Sequence, residues 1–381
     1  MNKIYLLILV NLILLNNSNA QNVTLIKEHA LQINASYVGE VITNHAGGIR
    51  KGTSYQGMGN FMLEYDTEKG KLWKGGKFYL NAAHTHGGNP SSLFIGDFQV
   101  ASNIEAGDLT YLHEMWISQT IGKAQITIGL QDLNVEFASS NHGSLFLNSS
   151  FGVHSTIADN IIAPIFPLTA FGAQLKYHIN SRIALKLIAF DGFPDDFSEN
   201  NPHNLRWRFK KEDGLLNIAE LTWQPRIKGS LDGTYSFGSY THHHFAEGDT
   251  KYTDTWEITN YGFYLVADQT LATHDNGSVV NAFLQASVSP SQKNENCNYF
   301  GFGLNYTNLF AKNDKDIIGI AVAHAGFANR SSETTFELTY QYQLNDQLSI
   351  QPDFQYIINP SGTDMDLENA FVTALRFNIA L

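Results

Sequence analysis

The sequence has one cysteine, Cys297, only 9 prolines and, after its first residues, no apolar run of the roughly eighteen residues that a membrane-spanning helix needs. A lone cysteine excludes an internal disulfide framework, and the missing run excludes a helical membrane protein after Gln21. Scarce proline beside 31 Gly, 17 Tyr and 25 Phe favours strands and tight turns over helices. Basic residues are few as well, with 24 Lys and Arg against 36 Asp and Glu for a formal net charge of -12. The acids are spread through turns and loops, which gives solubility and a weak bias against anions. No basic cluster interleaved with aromatics stands out, so nucleic acid is not expected as a partner. Linkers are absent too: no Pro-rich, Ser-rich or charge-block segment divides the chain. The expectation is one domain, although the length allows two or three.

The first residues have their own pattern. Lys3 supplies a positive charge, Ile4 to Leu15 is apolar apart from Tyr5 and Asn11, and Asn16 to Ala20 is small and polar. This reads as a secretory signal peptide, residues 1–20, cut after Ala20 and leaving 21–381 as the mature domain.

What the mature chain has is alternation. From Thr335, TFELTYQYQL sets Phe336, Leu338, Tyr340, Tyr342 and Leu344 on one face of a strand and Thr335, Glu337, Thr339, Gln341 and Gln343 on the other. After the turn Asn345-Asp346 the pattern repeats, and a final strand alternates Leu375, Phe377, Ile379 and Leu381 with Arg376 and Asn378. Strands of soluble proteins average about five or six residues. These run to about ten, the length that crosses a bilayer at a tilt. Their polar faces suit a wet lumen better than a dry core between two sheets.

Sixteen such segments are expected, near 31–44, 53–66, 77–86, 110–120, 123–132, 168–178, 182–192, 215–224, 229–241, 258–268, 278–289, 298–308, 316–325, 332–344, 347–357 and 369–381. Tight polar connections follow most even-numbered strands, while long ones, about 87–109, 133–167, 193–214 and 242–257, follow odd-numbered strands. Short turns on one side and long loops on the other are how outer-membrane barrels are built. The fold class expected is all-β, a transmembrane antiparallel β-barrel of about sixteen strands with long extracellular loops folding into the pore.

The long connections also carry particular motifs. IGDFQVASNIEA follows the third strand, HEMWISQ lies in the fourth, and ITIGLQD is followed by FASS and FLNSSFG. AFDGFP at 189–194, QPDFQYIINP from Gln351 and the AGG at 46–48 follow in the same spirit. Taken together these resemble the carbohydrate-selective porins of the OprB type, over nearly the whole mature chain. The resemblance implies passive diffusion of monosaccharides such as glucose across the bacterial outer membrane, with no reaction and no cofactor. It implies charged and aromatic residues at a constriction narrowed by inward loops, and outer-membrane lipid around the wall. A general or non-sugar porin remains the alternative, and the oligomeric state, monomer or trimer, stays open. Two departures stand out: His84 and His86 occupy the end of the third strand where basic residues are expected, and the chain ends in Leu381 instead of Phe.

A sugar presents hydroxyls that donate and accept and C–H faces that stack on rings, so its path needs carboxylates, amides and cations beside aromatics. Parity selects candidates. Glu114 shares a face with Trp116 and Ser118, a carboxylate beside a ring, while Met115 and Ile117 point the other way. Lys176, Lys186 and Arg376 point inward, as do Glu64, Glu220, Glu337 and Asp353. Either these charges pair and keep the interior wet, or a few form a selectivity ring. Loop 133–167, the longest, is the best candidate to fold inward. His242, His243 and His244 are consecutive and cannot all face one ion, so no metal site is expected there. Loop acids such as Asp191 and Asp195 read as solvated. Ser149 and Ser150 near His142 and His154 lack a glycine-flanked nucleophile elbow, so no catalytic residue is expected and a barrel hydrolase is the less favoured reading.

Overall fold

Alternation works because each strand of a barrel has one face for lipid and one for the interior. The computed structural model describes residues 29–381 except 195, 211–212, 228–230, 244–257, 311–315 and 364. The expected signal peptide, with Asp195 and His244, lies outside the described residues. Sixteen antiparallel strands make the wall: β1 (Leu31–Ala46), β2 (Gly52–Asp66), β3 (Gly76–Gly87), β4 (Leu109–Ile121), β5 (Ala124–Gln131), β6 (Ala170–His178), β7 (Ile183–Asp191), β8 (Leu215–Trp223), β9 (Leu231–His243), β10 (Ile258–Thr273), β11 (Val279–Val288), β12 (Asn296–Thr307), β13 (Ile317–Phe327), β14 (Glu333–Gln343), β15 (Leu348–Ile358) and β16 (Ala370–Ala380). A two-residue ladder, Arg226–Ile227, continues the line of β8 against the start of β9.

Each strand pairs with the next, and β1 closes on β16 with Tyr37 opposite Ile379 and Glu40 opposite Arg376. Closure leaves no row of unpaired backbone groups, the condition for a sheet to stand in hydrocarbon. The two faces separate as the alternation requires. In β14 Phe336 and Leu338 are 49% and 42% exposed, whereas Thr335, Glu337 and Thr339 are at most 3% exposed. Phe354, Leu375, Phe300, Phe263, Leu221 and Ile128 continue the outer apolar surface on other strands. The start of β1 and the end of β16 share the side of the short turns, and the long loops share the other.

The inner face is not polar all the way round. Strands β7 to β10 point Ile188, Phe190, Leu216, Ile218 and Val266 inward, and loop 132–169 lays Leu133, Phe137, Val153 and Ile157 on them. Phe146 and Phe151 of the same loop pack on Phe283 of β11 and Ala323 of β13. A loop that enters the lumen must bury its own apolar side, so part of the wall behind it is apolar. Elsewhere the inner face is polar as parity predicts, and under the loop too it carries buried Glu337, Asp353 and Gln355.

Candidate functional site

Two loops enter the interior, and wall carboxylates hold them. Ala138 N donates to Glu220 Oε2 at 3.0 Å. Asp268 accepts from Ser140 Oγ at 2.5 Å, Asn141 N at 2.9 Å and His142 N at 3.2 Å. Glu337 accepts from Leu147 N at 2.5 Å and Asn148 N at 3.1 Å. Glu333 does the same for the β3–β4 loop, taking Phe98 N at 2.7 Å and Gln99 N at 2.9 Å. Consecutive backbone N–H groups have no ladder partner in a loop, and a carboxylate that meets them satisfies both its own lone pairs and their hydrogens. The loops are thus pegged to strands far away in sequence.

Cations complete the attachment. Lys186 Nζ lies 2.6 Å from Glu220 Oε1 and also donates to the Glu136 carbonyl, while Lys176 Nζ lies 3.1 Å from Glu136 Oε2. Arg376 Nε donates to Glu40 Oε2 at 2.7 Å, and its NH2 reaches Asn103 Oδ1 of the β3–β4 loop at 2.9 Å. Asp353, 1% exposed, lies beside Glu337 and accepts from Gln355 Nε2 at 3.1 Å. Glu337 and Asp353 therefore sit behind the loop, whereas Lys176 and Glu136 keep partial exposure to the lumen.

His84 and His86 require a correction. Asn81, Ala83 and Thr85 are buried on the inner face of β3, so the even positions point outward with Phe78 and Leu80. His86 Nε2 meets Tyr37 Oη at 3.0 Å and His84 Nδ1 meets Thr110 Oγ1 at 2.7 Å on that outer surface. Neither imidazole belongs to the lumen.

Glu114 and Trp116 do face inward, and the structure adds a partner. The Trp116 ring stacks on Tyr79 of β3 with centroids 4.9 Å apart and planes at 24°. Glu64 and Lys77, paired at 2.7 Å and partly exposed, share the inner face with Tyr79. Opposite Trp116 stands Gly129, at φ +144, where a Cβ would come within 2.3 Å of Met115 O and 2.8 Å of Trp116 Cβ. Only glycine fits that backbone and leaves the indole its place. Below the loop, a polar cavity of about 320 Å³ reaches the β6–β7 turn, with Lys176, His178, Arg182, Thr222 and Ser236 in its lining.

One inner residue was hidden by a bulge. Asn81 pairs with Glu114 but Ala82 with Leu112, so His113 is the extra residue of β4 and points inward beside Glu114. Its Nε2 lies 3.3 Å from Asp132 Oδ2 at the start of the long loop. Period-two counting gives no sign of such an insertion.

His154 of the long loop is fully buried, its ring nitrogens have no hydrogen-bond partner among the described residues, and it packs against Tyr264 and Tyr299. Burial pushes its imidazole down to about 3. The unfolded group takes a proton near pH 6.5, so the loop's seating is at full strength above that value and is lost as pH falls from about 6.5 toward 3. His154→Phe keeps the ring and removes the titration. Hydrogen exchange at 150–159, compared between parent and variant from pH 7 to pH 4, is expected to show acid-induced opening in the parent only. Identical profiles would count against this role of His154.

Comparison with known proteins gives a consistent result. The model of the carbohydrate-selective porin, OprB family, matches residues 50–381. Porin B of Pseudomonas aeruginosa is 23% identical over 406 residues, covering 92% of this chain and 87% of that protein. The putative porin QuiX of Acinetobacter baylyi is 20% identical, over 93% of this chain and 90% of its own. Among solved structures, a high-pH structure of Pseudomonas putida OprB superposes with a TM-score of 0.81 at 22% identity, over 92% of this chain and 94% of that one. OmpT of Vibrio cholerae shares the architecture at a TM-score of 0.54, 10% identity and coverage of 94% and 100%.

Proposed function

The chain belongs to the OprB family of carbohydrate-selective porins, sugar channels of the outer membrane and not enzymes, and on that premise we propose that monosaccharides cross it against the inner face of β3 and β4. The observation that carries this reading is the stacked Trp116–Tyr79 pair with the partly exposed Glu64 and Lys77 on the same inner face and Glu114 buried beside them. A pyranose lays its C–H face on an aromatic ring while its rim hydroxyls donate to carboxylates and accept from the ammonium. No step in the passage needs a bond made or broken, and the concentration gradient is the only drive. The loop pegged across the lumen narrows the path, so that a sugar meets this wall instead of passing down open water. Lys176, Glu136 and the cavity below them receive the sugar on the periplasmic side, where hydroxyls exchange wall groups for water and binding stays weak enough for release.

Purified protein in a planar bilayer is expected to conduct, with ion current reduced in a saturable way by glucose and unaffected by amino acids or phosphate at equal concentration. A liposome-swelling series across sugars of increasing size reads the limit set by the loop. Current with no saturable sugar block would replace this reading with a general porin.

A further inference from the structure

The loop from β7 to β8 carries a stretch that the transport reading does not use, Leu205 to Lys210, LRWRFK. It interleaves cations with aromatics, contrary to the expectation that the chain holds no such cluster. Leu205, Trp207 and Phe209 alternate with Arg206, Arg208 and Lys210, and the three cations are exposed. So are two of the apolar residues: Leu205 and Phe209 are each 64% exposed. This is a concentration of positive charge in a chain of net charge -12.

The stretch is held against the outside of the wall. β5 pairs with β4 only from Met115 downward, and the loop takes the vacant edge above: Leu112 N donates to His203 O at 3.0 Å and Asn204 Nδ2 to Leu112 O at 3.1 Å. Asn201 Oδ1 then accepts from Leu205 N and Arg206 N at 2.9 and 3.0 Å. Phe209 meets outward-facing Phe171, at the extracellular end of β6, edge-on with centroids 5.2 Å apart. Trp207 borders an open apolar groove of about 620 Å³ on the lipid face, with Phe78, Leu80, Met115, Ile128 and Phe171 among its lining. The Trp207 indole N–H is satisfied by Asn204 O at 3.0 Å, so the ring can meet hydrocarbon without an orphaned donor.

Trp207 lines the groove and exposed Arg206 and Lys210 flank it in sequence, Lys210 Nζ lying 3.8 Å from Asp213 Oδ1. An acyl-chain groove with neighbouring cations is complementary to a lipid with an anionic head. We propose that this surface binds a phosphorylated lipid of the outer leaflet, its acyl chain along the groove by Trp207 and its phosphate on Arg206 and Lys210. Aromatics fix the depth of such a segment at the membrane interface, and guanidinium donors suit phosphate oxygens. The partner is thus a bisphosphorylated glycolipid of the lipid A kind, held as an annular ligand that staples the loop over the gap between β4 and β6. This rests on the outer-membrane location and not on sugar passage.

The test uses the full chain, delipidated in detergent, with three probes: bisphosphorylated lipid A, zwitterionic phosphatidylcholine and inorganic phosphate. Native mass spectrometry is expected to show a retained lipid A adduct, no comparable phosphatidylcholine adduct and no phosphate adduct. Arg206→Glu with Lys210→Glu is expected to lower lipid A retention by ~10-fold or more. Trp207→Ser is expected to lower it while leaving the cations in place. Both variants should keep the parent's conductance and sugar block, which separates this site from the lumen. Should the charge reversal impair folding, seen as loss of heat-modifiable gel mobility, Arg206→Gln with Lys210→Gln gives the same readout. Unchanged lipid A retention in the folded charge variants, equal retention of phosphatidylcholine, or a phosphate adduct matching that of lipid A would each overturn the proposal.

Discussion

The double variant Asp268→Ala with Glu337→Ala is expected to conduct ions more freely than the parent and to lose saturable block by sugar. Together the two carboxylates accept from Asn141 N, His142 N, Leu147 N, Asn148 N and Ser140 Oγ. All five donors belong to the long inward loop, and both acceptors are nearly buried, at 4% and 3% exposure. Removing an acceptor leaves each donor unsatisfied at about 1–3 kcal/mol. Several such costs exceed what the apolar packing of Phe146 recovers, so the 140–148 stretch of the loop leaves the wall and the lumen widens. The Glu220 peg and the Leu133–Phe137 packing keep the start of the loop in place. The wall itself survives, because every strand keeps both neighbours, and heat-modifiable mobility should match the parent. Asp353→Ala is the control. It removes a buried wall carboxylate adjoining Glu337 without taking an acceptor from any loop N–H, and its conductance should stay near the parent value. Parent-like current and sugar block in the double variant would mean the pegs do not hold the loop.

The wall was legible because each of its side chains answers to one neighbouring solvent. In β14 the expected span 332–344 and the observed Glu333–Gln343 differ by a residue at each end, and the expected parity of Glu337 and Phe336 is the observed one. The tenth strand runs on to Thr273 where 268 was expected, and Asp268 at the expected end is a peg for the loop. Sequence polarity cannot separate a carboxylate in water from one that meets a distant segment of the same chain. The same ambiguity explains Glu337 and Asp353, whose inward direction was readable and whose cover was not.

Residues next to local irregularities and in loops were harder. His84 and His86 were chosen because the resemblance places basic residues at the end of the third strand, yet strand parity, counted from Asn81, sends them to the outer surface. His113 faces inward only through a bulge, which inserts one residue and resets the parity upstream of Glu114. In the β7–β8 loop no solvent fixes the face of a side chain until the loop has docked. LRWRFK therefore shows its amphipathic alternation only once His203 and Asn204 are pinned to β4.

The largest effect on sugar is expected from Trp116→Ala. Conduction of ions needs only an open wet path, and shortening a side chain does not close one. Sugar recognition needs a flat apolar face with acceptors at its rim, and on the proposed path Trp116 would contribute the face, with Tyr79 stacked behind it at 4.9 Å. Stacking between rings adds about 0.5–1.5 kcal/mol beyond area burial, and losing the buried area itself adds a similar amount, so the half-saturating glucose concentration should rise by ~10-fold or more. Trp116→Phe keeps a face and should lose only part of that. Glu114→Gln keeps shape and one acceptor, so it should weaken block less than Trp116→Ala while shifting ion preference away from cations. A pore that merely sieves by size would give the opposite order: Trp116→Ala would pass larger sugars with the glucose half-saturation unmoved. The two readings thus separate on one titration, because affinity and width respond to the same substitution in different observables.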